Sequence, residues 1–182
     1  MKEQIKDILD PNQVGRTLEV DGWVRTRRDS GALCFLEIND GSCLANLQVI
    51  AESTLPNFDT EVKKLGTGCA VRIHGKLVES PAKGQDVELR AGEVTVIGWA
   101  DPGSYPLQKK RHSFEFLRSI AHLRPRTNAL ASVARIRSEL SFAIHRFFHD
   151  RGSSWLTPRL SPPRTAREPG RCSPSLPWNP EK

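Results

Sequence analysis

The chain has 182 residues, 37% of them hydrophobic, and a formal net charge of +6. That length holds one ordinary domain and an appendage; no apolar run is long enough to cross a bilayer, and the opening MKEQIKDILD lacks the apolar stretch of a secretory signal, so a cytoplasmic protein with no membrane partner is expected. The charge argues against a uniformly cationic surface, because residues 1–150 carry 21 Lys or Arg against 19 Asp or Glu; attraction to phosphate must rest on two local clusters, Arg25, Arg27 and Arg28, and Lys109, Lys110 and Arg111.

From residue 17 to 98 the sequence reads as short strands separated by turn residues, the spacing of a small all-β barrel. Five strands are expected: 17–26, 32–39, 44–51, 70–78 and 86–97, the last interrupted at Gly92. Residues 59–65 read as a short helix between the third and fourth strands, which is the layout of a five-stranded OB-fold barrel. Alternation places Leu18, Val20, Gly22 and Val24 inside, then Cys34, Leu36 and Ile38, then Ala45, Leu47 and Val49, then Val71 and Ile73, then Val87 and Leu89. Trp23, Arg25, Phe35, Gln48 and Glu88 are expected outside. Four cysteines, Cys34, Cys43, Cys69 and Cys172, show neither a C-x-x-C pair nor zinc-ligand spacing, which points to buried or half-buried thiols and to no metal site.

Residues 101–108 (DPGSYPLQ) break strand pairing and suit a hinge. Beyond them Ser113 is placed to cap a short helix reaching about His122, limited by Pro125. Val133, Ile136, Leu140, Ile144 and Phe147 recur at helical spacing and predict a longer helix ending near Asp150. The expected organisation is therefore a barrel over 1–102, a hinge with a short helix over 103–127, a helix over 128–150, and a tail over 151–182. The tail holds seven of the thirteen prolines, five arginines, and Trp155 and Trp178 without a supporting apolar period; a disordered segment is expected there.

The outward aromatic Phe35, with Arg25 and Arg28 in the hairpin and Gln48 and Glu88 on neighbouring strands, is a combination able to hold an unpaired nucleotide. Every base offers a face to stack on an aromatic ring, Arg takes phosphates, and amide and carboxylate edges discriminate between bases. Each residue also has an ordinary reading: Phe35 as an aromatic packed under a loop, the arginines as a solvated turn, Gln48 and Glu88 as plain surface positions.

GWVRTRRDSGALCFLEINDGS (22–42) resembles the anticodon-binding barrel shared by aspartyl- and asparaginyl-tRNA synthetases. KRHSFEFLRSIAHLRPRTN (110–128) resembles the hinge and first helix of bacterial asparaginyl-tRNA synthetases, and GSCLANLQVI (41–50) points the same way. The resemblance covers residues 1 to about 152. It implies a tRNA(Asn) anticodon loop as partner, with Phe35 as the stacking aromatic, Arg28 and Arg25 on phosphate and base, and Gln48 as the strand-three amide. Glu88 falls in the strand that carries an anticodon-reading Glu in the aspartyl relatives.

The resemblance also implies that the helix from Val133 to Phe148 belongs to motif 1, the dimer-forming opening of a class II catalytic domain. Motifs 2 and 3, which bind ATP and Mg in the full-length family, do not follow, and the segment around Thr157-Pro158 lacks the apolar strand expected there. No cofactor and no catalytic residue is therefore expected in this chain, which is expected to lack ligase activity; the tail is expected to be an alternative reading frame. Two other readings stay open at this level: a stand-alone OB-fold binder of tRNA or single-stranded nucleic acid, and a structural barrel in which Phe35 is incidental.

Overall fold

A computed structural model describes residues 3–82 and 84–157. Five strands, β1 (Thr17–Ser30), β2 (Leu33–Asn39), β3 (Leu47–Glu52), β4 (Ala70–Glu79) and β5 (Val87–Gly98), close into a barrel in the order β1-β2-β3-β5-β4. All neighbours are antiparallel except β3 and β5, which run parallel. Closure removes free strand edges. Among the described residues three α-helices accompany the barrel: α1 (Ile5–Ile8), α2 (Phe114–Ser119) and α3 (Asn128–His149). Residues up to Ser138 form one compact unit and those from Glu139 a second.

The expected strand alternation sets the core. Leu18, Val20, Val24, Cys34, Leu36, Ile38, Leu47, Val49, Val71, Ile73, Val87 and Leu89 are buried in one cluster, and Ile5 and Ile8 of α1 join it. Gly75 admits close backbone approach, since a Cβ there would lie 2.3 Å from the Arg90 carbonyl oxygen. Gly92 marks the expected interruption: the β4–β5 register steps from His74↔Glu93 to Gly75↔Ala91, leaving Gly92 bulged.

Several expectations change. β3 begins at Leu47 rather than 44, and Ala45 is exposed rather than inside. The cause is Asn39, whose Nδ2 donates to the Cys43 and Ala45 carbonyls (3.1 and 2.7 Å) and holds residues 40–46 as a loop. The helix expected over 59–65 is a run of turns ending in a 3₁₀ turn, Val62–Lys64. Asn57 reorganises it: its carbonyl accepts from both Glu61 and Val62, and its side chain donates to Glu61 Oε2 and the Val94 carbonyl. Val62 and Leu65 are nonetheless buried, as their spacing suggests.

The hinge packs against the barrel. Gly68 has φ +96°, and a Cβ on it would stand 2.6 Å from the Tyr105 ring, so glycine here serves both the turn and the ring above it. Ser113 caps α2 as expected, its Oγ accepting from the Phe116 N–H, but α2 stops at Ser119 and not near His122. α3 starts five residues before Val133. Its apolar residues stand open, with Ile136 67% and Leu140 60% exposed.

Cys34 and Cys69 are buried and Cys43 half-buried, all three as free thiols. Among the described residues no group of His, Cys, Asp or Glu is arranged to hold a metal, and no helix is long and apolar enough to cross a membrane. Residues 151–157 are exposed; the remainder of the expected disordered tail, with Cys172 and Trp178, lies outside the described residues.

Candidate nucleic-acid interface

Strand register brings four of the five expected residues onto one outer face. The pairs Arg28↔Phe35, Phe35↔Ile50 and Ile50↔Arg90 make one row across β1, β2, β3 and β5. A second row, one pleat along, runs Thr26↔Glu37, Glu37↔Gln48 and Gln48↔Glu88. Four strands at the usual spacing make a surface roughly 14 Å wide. The Arg28 guanidinium lies 5.1 Å from the Phe35 ring centroid, so the ring carries a cation on one side while remaining half-exposed. Ile50 and Arg90 complete the first row and were not singled out from sequence; the outward parity of strand three was the signal that marks Ile50.

A bulge explains how Arg28 reaches this face. Simple alternation from the inward Val24 would turn Arg28 toward the core. The β1–β2 register instead skips Arg25, passing from Val24↔Ile38 to Thr26↔Glu37, and this inverts the parity of everything after it. Thr26 and Arg28 thereby join Phe35 outside. The bulged residue itself is re-aimed: the Arg25 guanidinium donates to the Arg126 carbonyl and, at 2.7 Å, to Asn128 Oδ1. Arg25, expected on phosphate or base, is therefore a strut from the barrel to the start of α3. Trp23 takes part at the same place, with the Arg126 guanidinium 4.3 Å from its ring centroid.

A reciprocal strut comes from the helix. Arg135 donates to the carbonyls of Gly41 (a short contact) and Ser42 (2.7 Å) in the β2–β3 turn. The same turn receives α1, since Asp40 Oδ2 accepts the Ile5 N–H and Ser42 Oγ the Lys6 N–H. Between the outer face of β1 and residues 105–135 runs a groove lined in part by Trp23, Arg25, Lys110, Phe114, Arg126 and Arg135. Lys109, Lys110 and Arg111 thus border this groove and do not lie on the Phe35 face.

Glu88 differs most from expectation. It is placed on the outer side of β5, yet it is only 2% exposed rather than open to solvent. Its Oε1 accepts from Gln48 Nε2 at 3.0 Å, from Ser80 Oγ at 2.6 Å and from Gln85 Nε2. Three donors offset the desolvation of a carboxylate, which is costly when it is unpaired. The β4–β5 connection supplies two of them, a contact between residues eight and three positions apart. Beneath the face, the Cys34 thiol is pushed up to about 12 by burial first and then by its hydrogen bond to Asp29.

A closed five-stranded barrel bearing an aromatic, cations and an amide–carboxylate pair on one face defines an OB-fold nucleic-acid-binding domain, and residues 18–97 match the family model of that description, the tRNA anti-codon OB-fold nucleic acid binding domain. The chain is 59% identical over 152 residues to an asparagine-tRNA ligase of Desulfotalea psychrophila, covering 84% of this chain and 34% of that protein. It is 57% identical over 145 residues to an asparagine-tRNA ligase of Rhodopirellula baltica, covering 79% and 30%. The crystal structure of asparaginyl-tRNA synthetase from Pyrococcus horikoshii shares the fold, with a TM-score of 0.74 at 22% identity over 86% of this chain and 37% of that one. The chain is thus similar to asparagine-tRNA ligases over most of its own length, and it spans about a third of the length of the curated relatives it matches.

Proposed function

We propose that the barrel binds the anticodon loop of tRNA(Asn), the step by which an asparagine-tRNA ligase selects its RNA before ATP-dependent charging. The observation that carries this is the register that sets Phe35, flanked by Arg28, one pleat from the Gln48–Glu88 pair. An unstacked base lying on Phe35 exposes its Watson–Crick edge to the neighbouring amide and carboxylate, while Arg28 takes the phosphate beside it. Arg25 serves this indirectly, by fixing the hinge against the barrel.

ATP and Mg chemistry is assigned to the full-length family. The setting is cytoplasmic. α3, with its apolar residues exposed, is the surface through which full-length members pair as homodimers. The test is a binding titration of the chain against tRNA with the asparagine anticodon and against the same tRNA with an unrelated anticodon. Anticodon-dependent affinity is expected. Equal affinity for both favours a general single-strand binder, and no affinity for either favours a structural barrel.

A further inference from the structure

α3 ends in His145-Arg146-Phe147-Phe148-His149, and Asp150 follows it. The two histidines stand four residues apart, so one lies a turn above the other on the same side of the helix, their Cβ atoms about 5–6 Å apart. That is the spacing at which two imidazoles on a helix close on one ion. The other three of the chain's five histidines, His74, His112 and His122, have no histidine at that spacing.

Both rings are available to a ligand. His145 is half-exposed and His149 exposed, and no described residue hydrogen-bonds a ring nitrogen of either or pairs with the Asp150 carboxylate. Just past the helix the chain turns back: Gly152 has φ +83°, its N–H bonds the His149 carbonyl at 2.9 Å, and the Ser153 N–H bonds the Phe148 carbonyl at 3.0 Å. This return sets Trp155 edge-on against His145, with ring centroids 4.0 Å apart, which limits the turning of the imidazole. It also forms a cup of about 680 Å³ lined in part by His145, Phe148, His149, Asp150, Ser153 and Trp155, all within the second compact unit.

The local field suits a cation. The C-terminal end of a helix carries the negative pole of its dipole, and Asp150 adds a carboxylate to the cup. The neighbouring guanidiniums are engaged on rings, Arg146 at 4.7 Å from the Phe142 centroid and Arg151 at 3.6 Å from that of Phe147. We propose that His145 and His149 form a chelating site for a divalent transition ion: zinc, nickel or copper. Imidazole nitrogen suits these ions, whereas magnesium and calcium take oxygen ligands. No third described His, Cys, Asp or Glu joins the pair, so water fills the remaining coordination positions. The ion ties the last two turns of α3 together and, bound to the helix alone, stabilises it.

The experiment titrates the untagged full chain with nickel chloride by calorimetry in a non-chelating buffer, then with zinc and copper chlorides. One equivalent should bind, most tightly for copper, and the thermal midpoint should rise. His145→Asn and His149→Gln should each weaken nickel binding at least about tenfold, since even changes behind a metal ligand cost that much, and should abolish the rise. Failure of the wild-type chain to bind one equivalent, or binding unchanged in both variants, overturns the proposal. A measurement on the wild-type chain keeps the test independent of how the variants fold. Substoichiometric copper, being paramagnetic, should broaden the NMR signals of the His145 and His149 rings and of the Trp155 indole first; broadening first at His74, His112 or His122 refutes the site.

Discussion

Replacing Phe35 separates recognition from packing. The ring is half-buried, pairs with Ile50 across the β2–β3 ladder, and lies under Arg28 at 5.1 Å. Truncation to alanine removes an exposed cation–π contact worth about 0.5–1 kcal/mol and a cross-strand pair worth about 0.2–1 kcal/mol, so Phe35→Ala should cost about 1–2 kcal/mol of stability. If a base stacks on the ring, affinity falls by a further ~1–3 kcal/mol, about fivefold to 150-fold. Phe35→Leu keeps most of the apolar contact but has no π-face. Its thermal midpoint should therefore stay near wild type while its affinity drops nearly as far as that of the alanine variant. Fluorescence anisotropy with a labelled anticodon stem-loop, at one fixed salt concentration because phosphate contacts are salt-dependent, reads the affinity; a thermal melt reads the stability. A folded Phe35→Leu protein that binds within twofold of wild type would refute stacking at this position.

Three further outcomes follow from the geometry. Arg28→Ala should weaken binding to all stem-loops about equally and flatten the salt dependence by about one phosphate contact, whereas Arg25→Ala should leave affinity within twofold and speed amide hydrogen exchange over residues 126–135, whose anchor it removes; the reverse pattern would return Arg25 to the RNA. Gly75→Ala should destabilise by about 3 kcal/mol in a denaturant melt, since its Cβ has no room beside the Arg90 carbonyl. Because burial raises the Cys34 thiol from 9.0 to about 12, the folded chain holds a proton that the unfolded chain releases above pH 9. Stability should therefore be unaffected by this group below pH 9 and decline as pH rises from there toward 12; Cys34→Ala should remove that part of the slope in melts run across the range.

The barrel was legible because its signal is local: a period of two in the side chains fixes which face is buried, whatever the partner strand. It failed where a single polar side chain overrides the pattern. Asn39 and Asn57 each gather several backbone groups, and with them went the start of β3 and the helix before β4. The face itself was readable from Phe35, Gln48 and Arg28, although Arg28 arrives there only through a bulge that alternation does not announce. Burial of Glu88 and the employment of Arg25 were not readable. One depends on a loop folding back, the other on a residue 101 positions away, and neither leaves a mark in composition or period.

The two arginine struts run in opposite directions, one from barrel to helix and one from helix to barrel, and Tyr105 sits on Gly68. Anyone trimming this polypeptide to a minimal RNA-reading module is thereby told where not to cut. A boundary at residue 102, natural by composition, would strip Tyr105 from its glycine, take Arg126 from Trp23 and Arg25, and take Arg135 from the Gly41–Ser42 turn. A boundary after Ser138 keeps both ties within one piece and ends where the first compact unit ends.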